Sequence, residues 1–357
     1  MDDNWFLSFV IFVIAFFLYF HIQNQYKTSD ILEIYEYDYV DPKSLQDTCA
    51  LKQPVLFHMP EHGITTKELP AITTSVFVKD IREYYQPDST TVEPIILKTT
   101  SATGLLSSDT RSSYFSQNNV IQTENTDKFE QLDQKLQPFL NVKTYYDVMF
   151  GSRKAYTPMT YHMYSHRFFV VEGETSNCGI RIKMCPWKNT PRLHQRKDYE
   201  NFEFWSTMNM FRGDEDKLKI LDFVVNPGYI LYIPPYWWYS FQFLDVSTCV
   251  TSVSYSTAIN ALANTKEYAL HLYHQPNLQS RIIEEIIPNV KEPDSGNDLD
   301  VSKSVETLDT TETIGTVGKT EQTEQTEQTE QTEQTEQTEQ QNQDVSLQLI
   351  EELKSHS

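Results

Sequence analysis

Two kinds of hydrophobic patterning divide the chain. From Trp5 to Ile22 the residues are apolar almost without interruption, with only Ser8 and His21 polar. At 1.5 Å per residue, about 18 helical residues span ~27 Å, close to the thickness of a bilayer core. A secretory signal starts basic and ends in a pair of small residues. This chain starts Met1-Asp2-Asp3-Asn4 and offers no small-residue pair between His21 and Tyr26. The pattern predicts an uncleaved membrane anchor, with a signal peptide or a buried helix as alternatives. Acidic residues precede the span and Lys27 follows it, so the positive-inside rule favours a cytosolic body. The span has no G-x-x-x-G dimer face.

Beyond residue 30 the period shortens to that of strands. Residues 31–40 alternate (Ile31, Ile34, Tyr35, Tyr37, Tyr39) and predict an edge strand. A short helix is expected over 44–51, strands over 54–59 and 94–98, and either strand or helix over 77–85. The Ser-, Thr-, Asn- and Gln-rich stretch 101–125 predicts a loop. Phe129, Leu132, Leu136 and Leu140 recur at helical spacing and predict a helix over 127–140. Short apolar runs then predict strands over 159–164, 167–172, 179–185, 219–225, 229–233, 238–244 and 248–255. Two helices follow, over 259–274 and 278–287. Many short strands in succession, with turns between them, fit a jelly roll.

From residue 288 onward the chain turns polar and acidic. Seven T-E-Q triplets run from Thr320 to Gln340. A three-residue period without apolar residues buries nothing to offset ordering entropy, which predicts disorder. Val345, Leu349, Ile350 and Leu353 predict a short amphipathic helix, a candidate partner peptide. The expected organisation is an anchor (1–26), a folded body (27–289), an acidic tail (290–344) and a terminal helix (345–357). Residues 291–357 hold 17 acidic and 4 basic residues, so they carry -13 of the formal net charge of -21. Such acidity argues against nucleic-acid binding. With only 10 Gly and no G-x-G-x-x-G or P-loop, phosphate cradles are absent from the sequence. The repeat-bearing tail and the Tyr-, Asn- and Ile-rich usage are similar to proteins of large DNA viruses, which implies a viral or host-cell membrane. Cys49, Cys178, Cys185 and Cys249 form no C-x-x-C. They are expected as free thiols, although Cys178 and Cys185 flank a strand and are able to meet across a hairpin.

The most informative stretch is Asn226-Pro-Gly-Tyr-Ile-Leu-Tyr-Ile-Pro-Pro-Tyr-Trp-Trp-Tyr239. Pro227-Gly228 makes a turn, Ile230 to Ile233 a buried strand, and Pro234-Pro235 ends its ladder. This stretch resembles the G-D-x-L-Y-I-P-x-x-W-W-H segment of the JmjC-like cupins, the jelly-roll 2-oxoglutarate dioxygenases. The segment Thr157-Pro-Met-Thr-Tyr-His-Met-Tyr-Ser-His-Arg-Phe-Phe resembles the family's T-P-x-H-Y-D-x-x-x-N-F-F. The resemblance covers residues 31–287, and because members of the family often dimerise through such C-terminal helices, it implies a candidate homodimer surface over 259–287, with packing onto their own barrel as the alternative. It implies a mainly β fold with α additions: a double-stranded β-helix with flanking helices, preceded here by one transmembrane helix.

The family holds Fe(II) with two histidines and one carboxylate, two of them from H-x-D/E on one strand. No histidine here is followed two positions later by Asp or Glu. One register places Thr160 and His162 at the first two metal positions; the register one residue away places Tyr161 and Met163 there. Tyr239 stands at the third in both. The family's cosubstrate lysine aligns with Ile180, beside Arg181 and near Lys183. Arg181, Lys183, Trp237, Trp238 and Tyr239 are candidate pocket residues, while Trp205, Phe211, Trp237, Trp238 and Phe241 either line a pocket or fill the barrel. His162 with His166, and His271 with His274, are candidate metal pairs that lack further ligands in sequence. The leading expectation is a membrane-anchored, catalytically inactive module with no cofactor. Two others stand beside it: a divergent oxygenase using Fe(II) and 2-oxoglutarate, and a metal-free barrel holding a small ligand. A sizeable cavity with convergent Arg or Tyr groups is the feature that favours the last.

Overall fold

The computed structural model describes residues 3–60, 75–87, 89–119, 129–173, 175–214 and 218–274. The helix expected over 278–287, the acidic tail with its triplets, and the terminal helix lie outside these residues. Helix α1, Asp3–Gln25, has a mean hydropathy of 2.3 from Trp5 to Gln25 and none of it is buried. By length and composition it fits a single span or a signal sequence. Its last turn touches the body, where the Tyr26 hydroxyl donates to the carbonyl of Ala263 and the Lys52 ammonium to that of Asn24.

The body begins with β1 (Tyr35–Asp38), α2 (Pro42–Cys49), β2 (Val55–His58), β3 (Ser75–Asp80), β4 (Ile95–Lys98) and α3 (Thr99–Ser108). It continues with β5 (Tyr114–Ser116), α4 (Glu130–Leu136), β6 (Asn141–Gly151), β7 (His166–Glu172), β8 (Ile180–Cys185), β9 (Gln195–Asp198) and β10 (Glu203–Ser206). It ends with β11 (Leu221–Val225), β12 (Tyr229–Ile233), β13 (Trp238–Phe243), β14 (Cys249–Thr257), α5 (Ala258–Ala263) and α6 (Thr265–His274). Nine strands form one sheet in the order β1-β2-β12-β7-β14-β6-β5-β3-β4, antiparallel except for β1 with β2. A three-stranded sheet, β11-β8-β13, lies against its inner face. Bridges Tyr156↔Gln242 and Thr160↔Tyr239 add the 156–160 segment beside β13, so successive stretches from β6 to β14 pass back and forth between two layers.

Both faces of the large sheet are buried, which is why its central strands read as near-continuous apolar runs. Met149, Phe169, Val171, Leu231 and Val250 point inward against Ile180, Ile182, Met184 and Phe241. Phe168, Val170, Ile230, Tyr232 and Val253 point outward under Leu45 and Cys49 of α2, Leu132 and Leu136 of α4, and Leu106 of α3. Each such side chain contributes on the order of 1.5–3 kcal/mol by leaving water.

Several expectations change. The stretch 101–125 is not simply a loop: α3 and β5 occupy much of 101–119, while 120–125 lie outside the described residues. Ala102 and Leu106 give α3 a buried stripe, and the Thr103 and Ser107 hydroxyls donate to carbonyls four residues back, 2.8 Å each, so its polar residues stay on the helix. Residues 77–85 split into β3 and a 3-10 turn. Residues 159–164 form no strand beyond the Thr160 bridges. The expected helix over 259–274 breaks at Asn264, whose amide donates to the carbonyls of Met163 and Asn260. Strands β6, β9 and β10 were not foreseen in the sequence. Cys49, Cys178, Cys185 and Cys249 are buried and free.

Candidate functional site

The inner face of the large sheet changes character along its length. Side chains on a strand repeat every second residue, so one face of β14 carries Val250, Ser252, Ser254 and Ser256. Opposite them on β6 stand Met149, Asp147, Tyr145 and Lys143, and on β7 Arg167 faces Ser254. One end of this face is therefore apolar core and the other is polar. Over the polar end lies a cleft of about 950 Å³, walled on its far side by residues 160–164, Tyr239 and Glu203, and at one end by Ala261, Tyr268 and Leu272.

Arg167 is the cleft's central cation. Its Nε donates to Ser252 Oγ at 3.1 Å, and its guanidinium lies within reach of the Tyr239 hydroxyl. The guanidinium carbon sits 5.1 Å from the ring centre of Phe169 and 5.8 Å from that of Tyr164. Among the described residues it forms no ion pair. The nearby carboxylates are otherwise engaged. Asp147 accepts from the backbone N–H of Asn118 and Asn119 at 2.8 Å each. Burial pushes its pKa up, against those hydrogen bonds and Arg167. Glu203 pairs with the buried Lys79 and accepts from Tyr84 Oη at 3.1 Å.

The positions that match the family's metal ligands come together on the cleft wall. Thr160 and Tyr239 exchange backbone hydrogen bonds of 2.8 Å, and the rings of His162 and Tyr239 lie 6.1 Å apart. Tyr161 and Met163 touch the cleft's edge but pack with Trp187, Phe204, Tyr236 and Trp238 in a third apolar cluster. His162 is buried and its Nε2 meets the Ile233 carbonyl at 3.0 Å. Burial first, and Arg167 second, hold its pKa well below 6.5, so the ring is neutral. Because a carbonyl only accepts, Nε2 carries the proton and Nδ1 the lone pair. Nδ1 is buried and makes no well-formed hydrogen bond. The Thr160 hydroxyl is spent on the Phe204 carbonyl, 2.7 Å away. One imidazole, one hydroxyl and one phenol do not fit the two-histidine, one-carboxylate set that Fe(II) needs. Among the described residues no three His, Cys, Asp or Glu converge.

The remaining candidates lie elsewhere, except His271, which touches the cleft's edge. Strand β8 turns Ile180, Ile182 and Met184 inward, which puts Arg181 and Lys183 on its other face, away from the cleft. Arg181 makes a two-pronged pair with Asp222 at 2.8 and 2.7 Å. The Lys183 ammonium donates to the Met210 carbonyl at 2.8 Å. Trp205, Trp237, Trp238 and Phe241 are fully buried and fill the interior, with Phe211 half-buried beside them. Of the proposed pocket residues, only Tyr239 lines this cleft. His166 stacks between Phe168 and Tyr232 on the outer face, so it does not meet His162. His271 bonds the Tyr199 carbonyl at 2.6 Å and His274 stacks on Tyr199.

Arg167, Asp147 and the serines of β14 went unnoticed in the sequence. The signal for the serines was present: Ser252, Ser254 and Ser256 alternate with Val253 and Tyr255, which marks a strand polar on one face. No family model matches the chain, and no curated protein matches it.

Proposed function

We propose that this is a membrane-anchored, non-catalytic jelly-roll protein of JmjC-like kind, whose cleft binds an anionic small ligand without a metal. The resemblance at 226–239 supports the family, and the alternation of strands between two layers supports the jelly roll. The apolar α1 supports the anchor, with the body on the cytosolic side. The observation that carries the binding function is Arg167. A guanidinium without an ion pair among the described residues, half-buried in a cleft of about 950 Å³, is a ready partner for a carboxylate or phosphate. The cleft's hydroxyls, from Ser252, Ser254 and Tyr239, supply further polar partners.

The test is thermal unfolding of the full chain in detergent with octanoate, succinate or inorganic phosphate, chelator present. At least one anion raises the melting temperature in the wild type. Arg167→Gln weakens that anion's binding about tenfold or more, since a hydrogen bond to a charged group contributes roughly 1.5–3 kcal/mol. Stabilisation equal in the variant, or seen only with added Fe(II), refutes the reading.

A further inference from the structure

One short helix serves two purposes. Helix α5 receives the end of the apolar α1: the Tyr26 hydroxyl bonds the Ala263 carbonyl, and the Tyr26 ring packs 6.1 Å from that of Tyr236. The same helix supplies Ala261 to the cleft. Between these points Asn260, fully buried, ties α5 to the Met163 carbonyl at 2.9 Å, next to His162. Because the end of α1 packs directly on α5, a body whose α1 spans a bilayer sits close to that bilayer at α5.

Three exposed apolar residues of the body lie on or next to α5 in the fold. Leu262 lies on α5 itself, and Leu140, 57% exposed, is tied to it where its carbonyl accepts from Ala258 N at 3.1 Å. Phe139 beside it is 86% exposed. At the cleft, the exposed lining residues form the rim, and these include Val142, Lys143 and Leu272. The buried lining residues form the floor, and these include Ser252, Ser254, Tyr239 and His162, with Arg167 half-buried among them. The exposed rim thus holds Val142 and Leu272 with the polar Asn118 and Lys143, and the cleft's interior holds one cation, Arg167, beside the carboxylates of Asp147 and Glu203, which are engaged by backbone N–H groups and by Lys79.

We propose that the cleft takes its ligand from the membrane: a single-chain amphiphile whose anionic headgroup meets Arg167 and whose tail leaves past Ala261 and Leu272 toward the bilayer. This rests on the anion-binding reading above and adds the source and the shape of the ligand. An anionic head meets its cation at Arg167, and a tail leaving on the side of Ala261, Val142 and Leu272 meets the apolar part of the rim.

The test uses the full chain in phosphatidylcholine nanodiscs containing oleic acid with a photoreactive group in its tail. After illumination, labelled peptides are mapped by mass spectrometry. The expected result is labelling within 141–147 and 258–274, falling about tenfold in Arg167→Gln and also falling in Leu272→Glu, which places a charge on the exposed rim. Labelling of α1 alone overturns the proposal, because it reports only lipid around the span. Cleft labelling unchanged by Arg167→Gln overturns it as well. Aqueous octanoate titrated into the same sample separates the two claims. Arg167-dependent octanoate binding without cleft labelling leaves an anion site fed from water and sinks only the membrane source. Failure of both sinks the anion-binding reading too.

Discussion

Burial governs both His162 and Asp147 in the cleft and pushes their pKa values in opposite directions, down for the histidine and up for the carboxyl. Arg167 brings a positive charge to a place where burial already disfavours ionising His162, and the two effects add. His162 therefore stays neutral in the folded chain at pH values where an exposed histidine takes up a proton. Its folded pKa lies below its unfolded one, so the unfolded state binds more protons as the pH falls. His166, held at about 4 by burial and by Lys52, behaves in the same way. The stability that both histidines contribute is present above pH 6.5 and is lost progressively below it. Asp147 opposes this at lower pH, because burial raises its pKa. The expected outcome is a melting temperature that drops between pH 7 and pH 5, and drops less in His162→Gln. A flat profile in the wild type would remove the neutral-histidine argument.

At the scale of elements, the two layers meet most closely where β6 ends. A Cβ on Gly151 would lie 2.5 Å from the Phe243 ring of β13. Gly151→Ala is therefore expected to destabilise by about 1–3 kcal/mol, read from urea unfolding, because the ring has packed neighbours on all sides. The junction of α5 gives a second prediction. Asn260→Leu leaves the Met163 carbonyl with one donor fewer in a buried place, and should cost about 1–3 kcal/mol. The legibility of elements in the sequence follows from the same packing. Strand β12 was plain because Ile230 to Ile233 is buried on both faces and bounded by Pro-Gly and Pro-Pro. Strand β6 was hidden because its inner half, Lys143, Tyr145 and Asp147, faces the cleft while Thr144 and Tyr146 are only half-buried, so no hydrophobic alternation survives. Strands β9 and β10 carry charged residues and turn through Phe202, whose φ is 55°, a conformation that sequence pattern does not announce for an aromatic residue. Helix α3 was masked by its serines and threonines. The motif resemblance points to Thr160, His162 and Tyr239, which lie along one wall of the cleft, but their side chains do not make an iron-binding set. What made the site, a polar face inside a sheet, was written in residues that motif matching passed over.

For the whole molecule, the apolar helix and the folded body are one mechanical unit at α5. The full chain is expected to stay with vesicles through alkaline carbonate and high salt, as a spanning helix does and a charge-held surface protein does not. Release into the soluble fraction would argue that α1 does not span. The central claim, however, concerns the cleft: that it binds an anion through Arg167 and needs no metal. The most direct measurement is calorimetric titration of octanoate into the full chain with chelator present, repeated on Arg167→Gln. The account predicts saturable binding near one ligand per chain in the wild type, weakened about tenfold or more in the variant. Binding that appears only when Fe(II) replaces the chelator, or that is unchanged in Arg167→Gln, would contradict it.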